Sequence, residues 1–248
     1  MDPMNRRIDG WHSPILGQHM PIVSYGHWGH PLLLFPTAAA DFLENERFEL
    51  IGSVEPAIRD GRVRVFSINS INNQAWMDRN LPVPEQGRRQ MLYAQYLEQE
   101  VVPYVRNVCQ SQDLRIATAG ASFGAFHAAN TLFRRPDLFD GTIAMSGFYD
   151  LGPDYLRGYS DDNCFFNNPA WYLPNLEGQP LHLLQTASQI HVLTGQGDYE
   201  APHASQQLSD LLHRKGIPHF LDVWGHDVSH DWPWWRKMLP YSIDLMGW

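Results

Sequence analysis

Gly120, Ser122 and Gly124 form a G-x-S-x-G run within Arg115-Ile116-Ala117-Thr118-Ala119-Gly120-Ala121-Ser122-Phe123-Gly124-Ala125. The apolar residues before Gly120 read as a strand and the small residues after Ser122 as a helix, so the serine falls on the turn between them. A strand that reverses sharply into a helix leaves no room for Cβ atoms two positions either side of the turn, which gives both glycines a steric reason. The hydroxyl would stand at the mouth of the sheet beside a helix N-terminus, whose unpaired N–H groups favour developing negative charge. The chemistry that suits such a serine is nucleophilic attack on a carbonyl; the structural alternative is a glycine-bracketed serine that caps a core helix.

A serine hydroxyl is a weak nucleophile until a base takes its proton and a carboxylate orients that base. The expected chain order is serine, acid, histidine. Asp198 is the acid candidate: it ends the Gly195-Gln196-Gly197-Asp198 turn after the apolar run 190–194, which puts a carboxylate just past a strand end. Glu200 is a less favoured stand-in, and an Asx turn or helix cap before Pro202 is the structural alternative for Asp198. For the base there are two candidates, His226 and His230, in Gly225-His226-Asp227-Val228-Ser229-His230-Asp231-Trp232-Pro233. Position alone leaves both open.

The same two histidines, at i and i+4 with Asp227 after the first, also resemble half of a zinc site. That reading needs a helix to bring both rings onto one face, whereas Gly225 and Pro233 indicate a loop and no third ligand is suitably spaced. Cys109 and Cys164 form no CxxC pair, so neither a thiolate metal site nor a disulfide framework is indicated. No metal and no cofactor are expected.

These residues need a scaffold. The chain has 248 residues, 44% hydrophobic, 18% charged and 12% aromatic, which is the composition of a globular protein and excludes disorder. Short apolar, β-branched runs at 21–25, 31–35, 62–68, 115–119, 142–146, 190–194 and 220–224 read as strands. Helical spacing recurs between them at 41–59, 85–108, 123–133, 202–215 and 234–245. The alternation predicts an α/β fold, a mostly parallel twisted sheet with helices on both faces, and the consecutive apolar residues Leu32, Leu33, Leu34 and Phe35 fit a strand covered on both sides. One domain over 1–248 is expected, with residues 148–189, rich in aromatics among Asn, Asp, Gly and Pro, as a lid or cap insertion. Trp76, after the 62–68 strand, is placed by this topology at the same end as the serine, as a substrate-binding wall or as core packing.

A net charge of −9 repels phosphate backbones and anionic lipid, so neither nucleic acid nor a membrane is expected as partner. The N-terminal residues lack an apolar signal region and no long apolar run occurs, which suggests a cytoplasmic protein. The sequence carries no signal for an oligomeric state.

Taken together, the motifs resemble the esterase branch of the α/β-hydrolases that includes S-formylglutathione hydrolases, feruloyl esterases and mycolyltransferases. The resemblance runs from about Val23 to Leu245 and rests on Gly120–Gly124, the turn ending at Asp198, and His230-Asp231-Trp232-Pro233-Trp234-Trp235-Arg236. In that family an aromatic residue stands two positions after the catalytic histidine, which selects His230 over His226. The resemblance also implies an oxyanion hole of two backbone N–H groups, one from Phe123. The other would come from the loop after Phe35, where this chain reads Pro36-Thr37-Ala38 in place of the family's frequent His-Gly. Pro36 has no N–H, so Thr37 or Ala38 is the implied donor.

The resulting expectation is a serine carboxylesterase with a Ser122–His230–Asp198 triad acting on a small-molecule ester with small or aromatic groups. An acyltransferase using the same triad and a non-catalytic binding protein of the same fold are the alternatives.

Overall fold

A computed structural model describes residues 4–248. Eight strands form one sheet: β1 (Arg7–Ser13), β2 (Gln18–Tyr25), β3 (His30–Phe35), β4 (Val63–Ile68), β5 (Ile116–Ala121), β6 (Phe139–Met145), β7 (Gln189–Thr194) and β8 (Phe220–Val223). Their spatial order is β1-β2-β4-β3-β5-β6-β7-β8. β2 runs antiparallel to β1 and β4, and all other pairs are parallel. This is the α/β-hydrolase fold.

Side chains alternate across the sheet, and in its central strands both faces are buried. In β3, Leu33 and Phe35 point into one core with Phe66, Tyr93, Ala128 and Phe133, while Leu32 and Leu34 point into the other with Val65, Ala119, Trp235 and Leu239. Eleven helices accompany the described strands. The expected helix over 41–59 is broken into α1 (Glu44–Arg47), α2 (Leu50–Ser53) and α3 (Glu55–Arg59). Glu49 takes a left-handed φ of 61° and Pro56 must sit in a first turn, so one continuous helix cannot form. The next expected helix comprises α4 (Val83–Tyr96) and α5 (Val102–Val108), joined by a π turn at Leu97–Val101 just before Pro103, which has no N–H to give.

α6 (Phe123–Arg134) follows β5 directly; α7 (Asp162–Phe165), α8 (Pro169–Tyr172) and α9 (Gly178–Thr186) lie in the segment between β6 and β7; α10 (Pro202–Arg214) and α11 (Trp232–Met246) follow β7 and β8. β1 was not expected. Its sequence, Arg-Ile-Asp-Gly-Trp-His-Ser, is largely exposed and lacks an apolar run, and its place is fixed by pairing with β2 and by Glu100, which accepts from Trp11 Nε1 at 2.5 Å and Ser13 Oγ at 2.7 Å. Among the described residues no helix is long and apolar enough to cross a membrane.

Candidate active site

Ser122 occupies the turn between β5 and α6 with φ 56° and ψ −121°, a conformation L-residues avoid and that costs on the order of 1–3 kcal/mol. The surrounding packing leaves the chain no alternative. A Cβ on Gly120 would lie 2.4 Å from the carbonyl of Gly124, and one on Gly124 would lie 2.7 Å from Pro36 O and 2.8 Å from Phe35 O. The two glycines thus let strand, helix and the loop after β3 approach within backbone contact of one another. Among the described residues Ser122 Oγ makes no hydrogen bond, to His230 or to any other group; its N–H donates to Met145 O at 2.9 Å, which ties the turn to the end of β6.

The residue after Met145 leads to a buried carboxylate. Ser146, with φ 52°, donates its hydroxyl to Glu200 Oε1 at 2.5 Å, and Thr194 Oγ1 donates to Glu200 Oε2 at 3.1 Å. The same Oε2 stands 3.8 Å from Nδ1 of His230. Burial alone would raise the Glu200 carboxyl, but the contacts with His230, Ser146 and Thr194 outweigh it and hold the group below the usual glutamate range.

Asp198 is not placed in that position. Its side chain is exposed and without a hydrogen bond among the described residues, and only its backbone carbonyl reaches the site, accepting from the His230 N–H at 2.9 Å. The physical reason lies in the turn. Tyr199, at φ 63°, bends the chain left-handed between the two acids, and the side chain of Glu200 ends fully buried beneath the imidazole. The carboxylate that the fold buries beside His230 is therefore that of Glu200, the less favoured stand-in, and not that of Asp198.

His230 lies on the loop between β8 and α11, and its ring meets Trp235 edge-to-face at 5.1 Å. Trp235 in turn donates Nε1–H to Ser146 Oγ at 3.0 Å, so one hydroxyl joins helix α11 to Glu200. His226 is exposed and its ring has no partner among the described residues. Neither histidine is helical, so the i, i+4 spacing does not put the two rings on one face. Sequence reasoning missed Ser146, Thr194 and Trp235, because nothing in their spacing links them to residue 200.

Of the two implied donors after Phe35, Thr37 is already engaged: its N–H donates to Glu44 Oε2 at 2.7 Å and its hydroxyl to Glu44 Oε1 at 2.8 Å. The N–H of Ala38 has no partner among the described residues, nor has that of Phe123 in the first turn of α6.

The family-model comparison matches residues 58–243 to the family described as "Putative esterase". The chain belongs to that esterase family. A comparison with curated protein sequences finds no match. Solved structures with the same fold include FphF, a fluorophosphonate-binding serine hydrolase of Staphylococcus aureus determined with substrate bound (16% identity, 99% of each chain covered, TM-score 0.75). A ferulic acid esterase is similar at 17% identity over 98% of each chain with a TM-score of 0.73. An S-formylglutathione hydrolase from Agrobacterium tumefaciens is similar at 12% identity over 98% of this chain and 94% of its own, also with a TM-score of 0.73.

Trp76 of this esterase-family chain is fully buried, clustered with Phe123, Phe126, Leu151, Leu156 and Cys164, and its Nε1–H has no partner. It therefore does not form an open wall for substrate. The rings that stand nearer the surface are Phe148 and Tyr155, which pack edge-on against Phe123 at 5.0 and 5.6 Å.

Proposed function

We propose that the protein is a serine carboxylesterase in which Ser122 is the nucleophile, His230 the base and Glu200 the orienting acid. The observation that carries this reading is the contact between the buried Glu200 carboxylate and Nδ1 of His230, at the same edge of the sheet as the strained Ser122 turn. With Nδ1 turned to Glu200, Nε2 is left for the serine proton. Ser122 Oγ attacks the ester carbonyl while its proton passes to His230. The N–H groups of Phe123 and Ala38 receive the oxyanion, and the imidazolium then gives its proton to the departing alkoxide. Water attacks the acyl-enzyme by the same route in reverse order, and Ser122 regains its proton as the acid leaves. Hydrogen bonds of this kind commonly tighten only once substrate is bound, which is consistent with the unpaired Ser122 hydroxyl. Phe148 and Tyr155, packed against Phe123 next to the nucleophile in the chain, support small or aromatic substrate groups.

The test is turnover of p-nitrophenyl esters varied in acyl length, run beside Ser122→Ala, together with mass spectrometry after treatment with a fluorophosphonate. Hydrolysis that disappears in Ser122→Ala, with a single adduct on Ser122, is the expected result. Neither turnover nor adduct in the folded wild type would overturn the proposal in favour of a binding protein.

A further inference from the structure

Thr37 is held by Glu44, but the three residues that follow it have no side chain with which to anchor themselves. Residues 38–40 are three alanines with no polar side chain, yet an oxyanion donor must be held to within a few tenths of an ångström. Residues 38–40 are instead anchored by the segment after β4. Asn72 Nδ2 donates to Ala38 O, Asn73 Nδ2 to Ala39 O at 3.2 Å and Ser70 Oγ to Ala40 O at 3.1 Å, while Asn69 Oδ1 accepts from the Phe42 N–H at 2.8 Å. Three successive carbonyls are thereby tied down while the Ala38 N–H stays unpaired.

Asn72 differs from the other three because it is fully buried and has a second partner: its Oδ1 lies 2.8 Å from Nε2 of His127. An amide oxygen can only accept, so His127 must carry its proton on Nε2. Burial drives the pKa of His127 down to about 3, which keeps the ring neutral and that single proton in place. The chain of donation has one direction, from His127 to Asn72 to the Ala38 carbonyl. The same imidazole stacks on Phe123 at 5.2 Å and on Phe35 at 5.8 Å. His127 therefore touches the residue that offers one oxyanion donor and, through Asn72, the loop that offers the other.

We propose that His127 and Asn72 are positioning residues that set the spacing between the Phe123 and Ala38 N–H groups. The proposal rests on the serine-esterase reading above. Neither side chain touches the ester; each acts through the backbone it holds. The oxyanion forms only as the tetrahedral intermediate develops, so a misplaced donor slows the chemical step and leaves ground-state binding unchanged.

The experiment compares Asn72→Ala, His127→Phe and the double variant on a p-nitrophenyl ester, and measures inhibition by a trifluoromethyl ketone that adds to Ser122 as a tetrahedral oxyanion. For Asn72→Ala, kcat should fall about 10- to 100-fold with KM within about twofold, and the ketone should weaken by the same factor. His127→Phe keeps the ring but removes the N–H and should fall about tenfold, with the double variant no slower than Asn72→Ala within about threefold. Unchanged kcat, a rise in KM at constant kcat, or multiplying losses in the double variant would overturn the proposal. Should Asn72→Ala not fold, His127→Gln decides instead: it retains an N–H donor and should recover most of the kcat lost in His127→Phe, whereas a purely structural role makes kcat follow Tm in both. A wild type that neither hydrolyses esters nor binds fluorophosphonate fails at the first step, and removes the esterase reading and this proposal together.

Discussion

Oε2 of Glu200 lies 3.8 Å from Nδ1 of His230, and the carboxylate is otherwise satisfied by the hydroxyls of Ser146 and Thr194. The Glu200 side chain is fully buried while that of His230 is one-quarter exposed. A buried carboxylate stays ionised only where hydrogen bonds replace its lost water, and here two hydroxyls do so. The negative charge is thus fixed beneath a ring that would become cationic during the reaction.

Glu200→Gln should lower kcat by about 10² to 10⁴, because the amide cannot stabilise the imidazolium and disturbs the imidazole tautomer. Asp198→Asn should leave kcat within about threefold, since among the described residues Asp198 meets His230 only through a backbone hydrogen bond. Steady-state kinetics on a short-chain p-nitrophenyl ester separates the two; a larger loss in Asp198→Asn returns the acid role to Asp198.

Ser146→Ala removes a hydrogen bond to a charged group and leaves Trp235 Nε1 without its acceptor. A cost of about 1.5–3 kcal/mol in unfolding free energy is expected, with kcat reduced severalfold as Glu200 loses its support. Urea denaturation and kinetics on the same preparation check both; full stability with full activity contradicts the tether.

Stability should fall as pH is lowered below about 6.5, with His127 one contributor. Its ordinary pKa is 6.5, and burial lowers it to about 3 in the folded protein. Between those values the unfolded chain binds the proton and the folded chain does not, so acid favours unfolding. The slope from this group is at most about 1.4 kcal/mol per pH unit. Urea midpoints across pH 4–7 should show a shallower pH dependence in His127→Phe than in wild type; identical slopes would mean that the ring is protonated within the fold.

Gly124→Ala should destabilise the protein by about 1–3 kcal/mol and reduce activity beyond what the loss of stability explains, because its Cβ would press on the carbonyls of Phe35 and Pro36. The loop bearing Ala38 must then shift. Thermal melts together with kcat at a temperature where the variant is fully folded test this; normal kcat in the folded variant would show that the loop yields without consequence.

The sequence by itself determined the α/β class, seven of the eight strands and the serine turn, because each is written in local patterns. Apolar residues run consecutively where both faces of a strand are covered, and Gly120 and Gly124 are small where backbones nearly touch. Between His226 and His230 the sequence alone left the choice open, and only the resemblance to the esterase family pointed to His230. Only the tertiary structure showed which of Asp198 and Glu200 is buried beside His230, which of the Thr37 and Ala38 N–H groups is already paired, and that Trp76 is enclosed in the core. Each of these turns on a direction or a partner far away in the chain: the left-handed Tyr199 that reverses the side-chain order, Glu44 that occupies the Thr37 N–H, and the cluster that closes over Trp76. A carboxylate two residues from another looks equivalent in a sequence. It becomes distinct only when the backbone between them turns and buries one of the two.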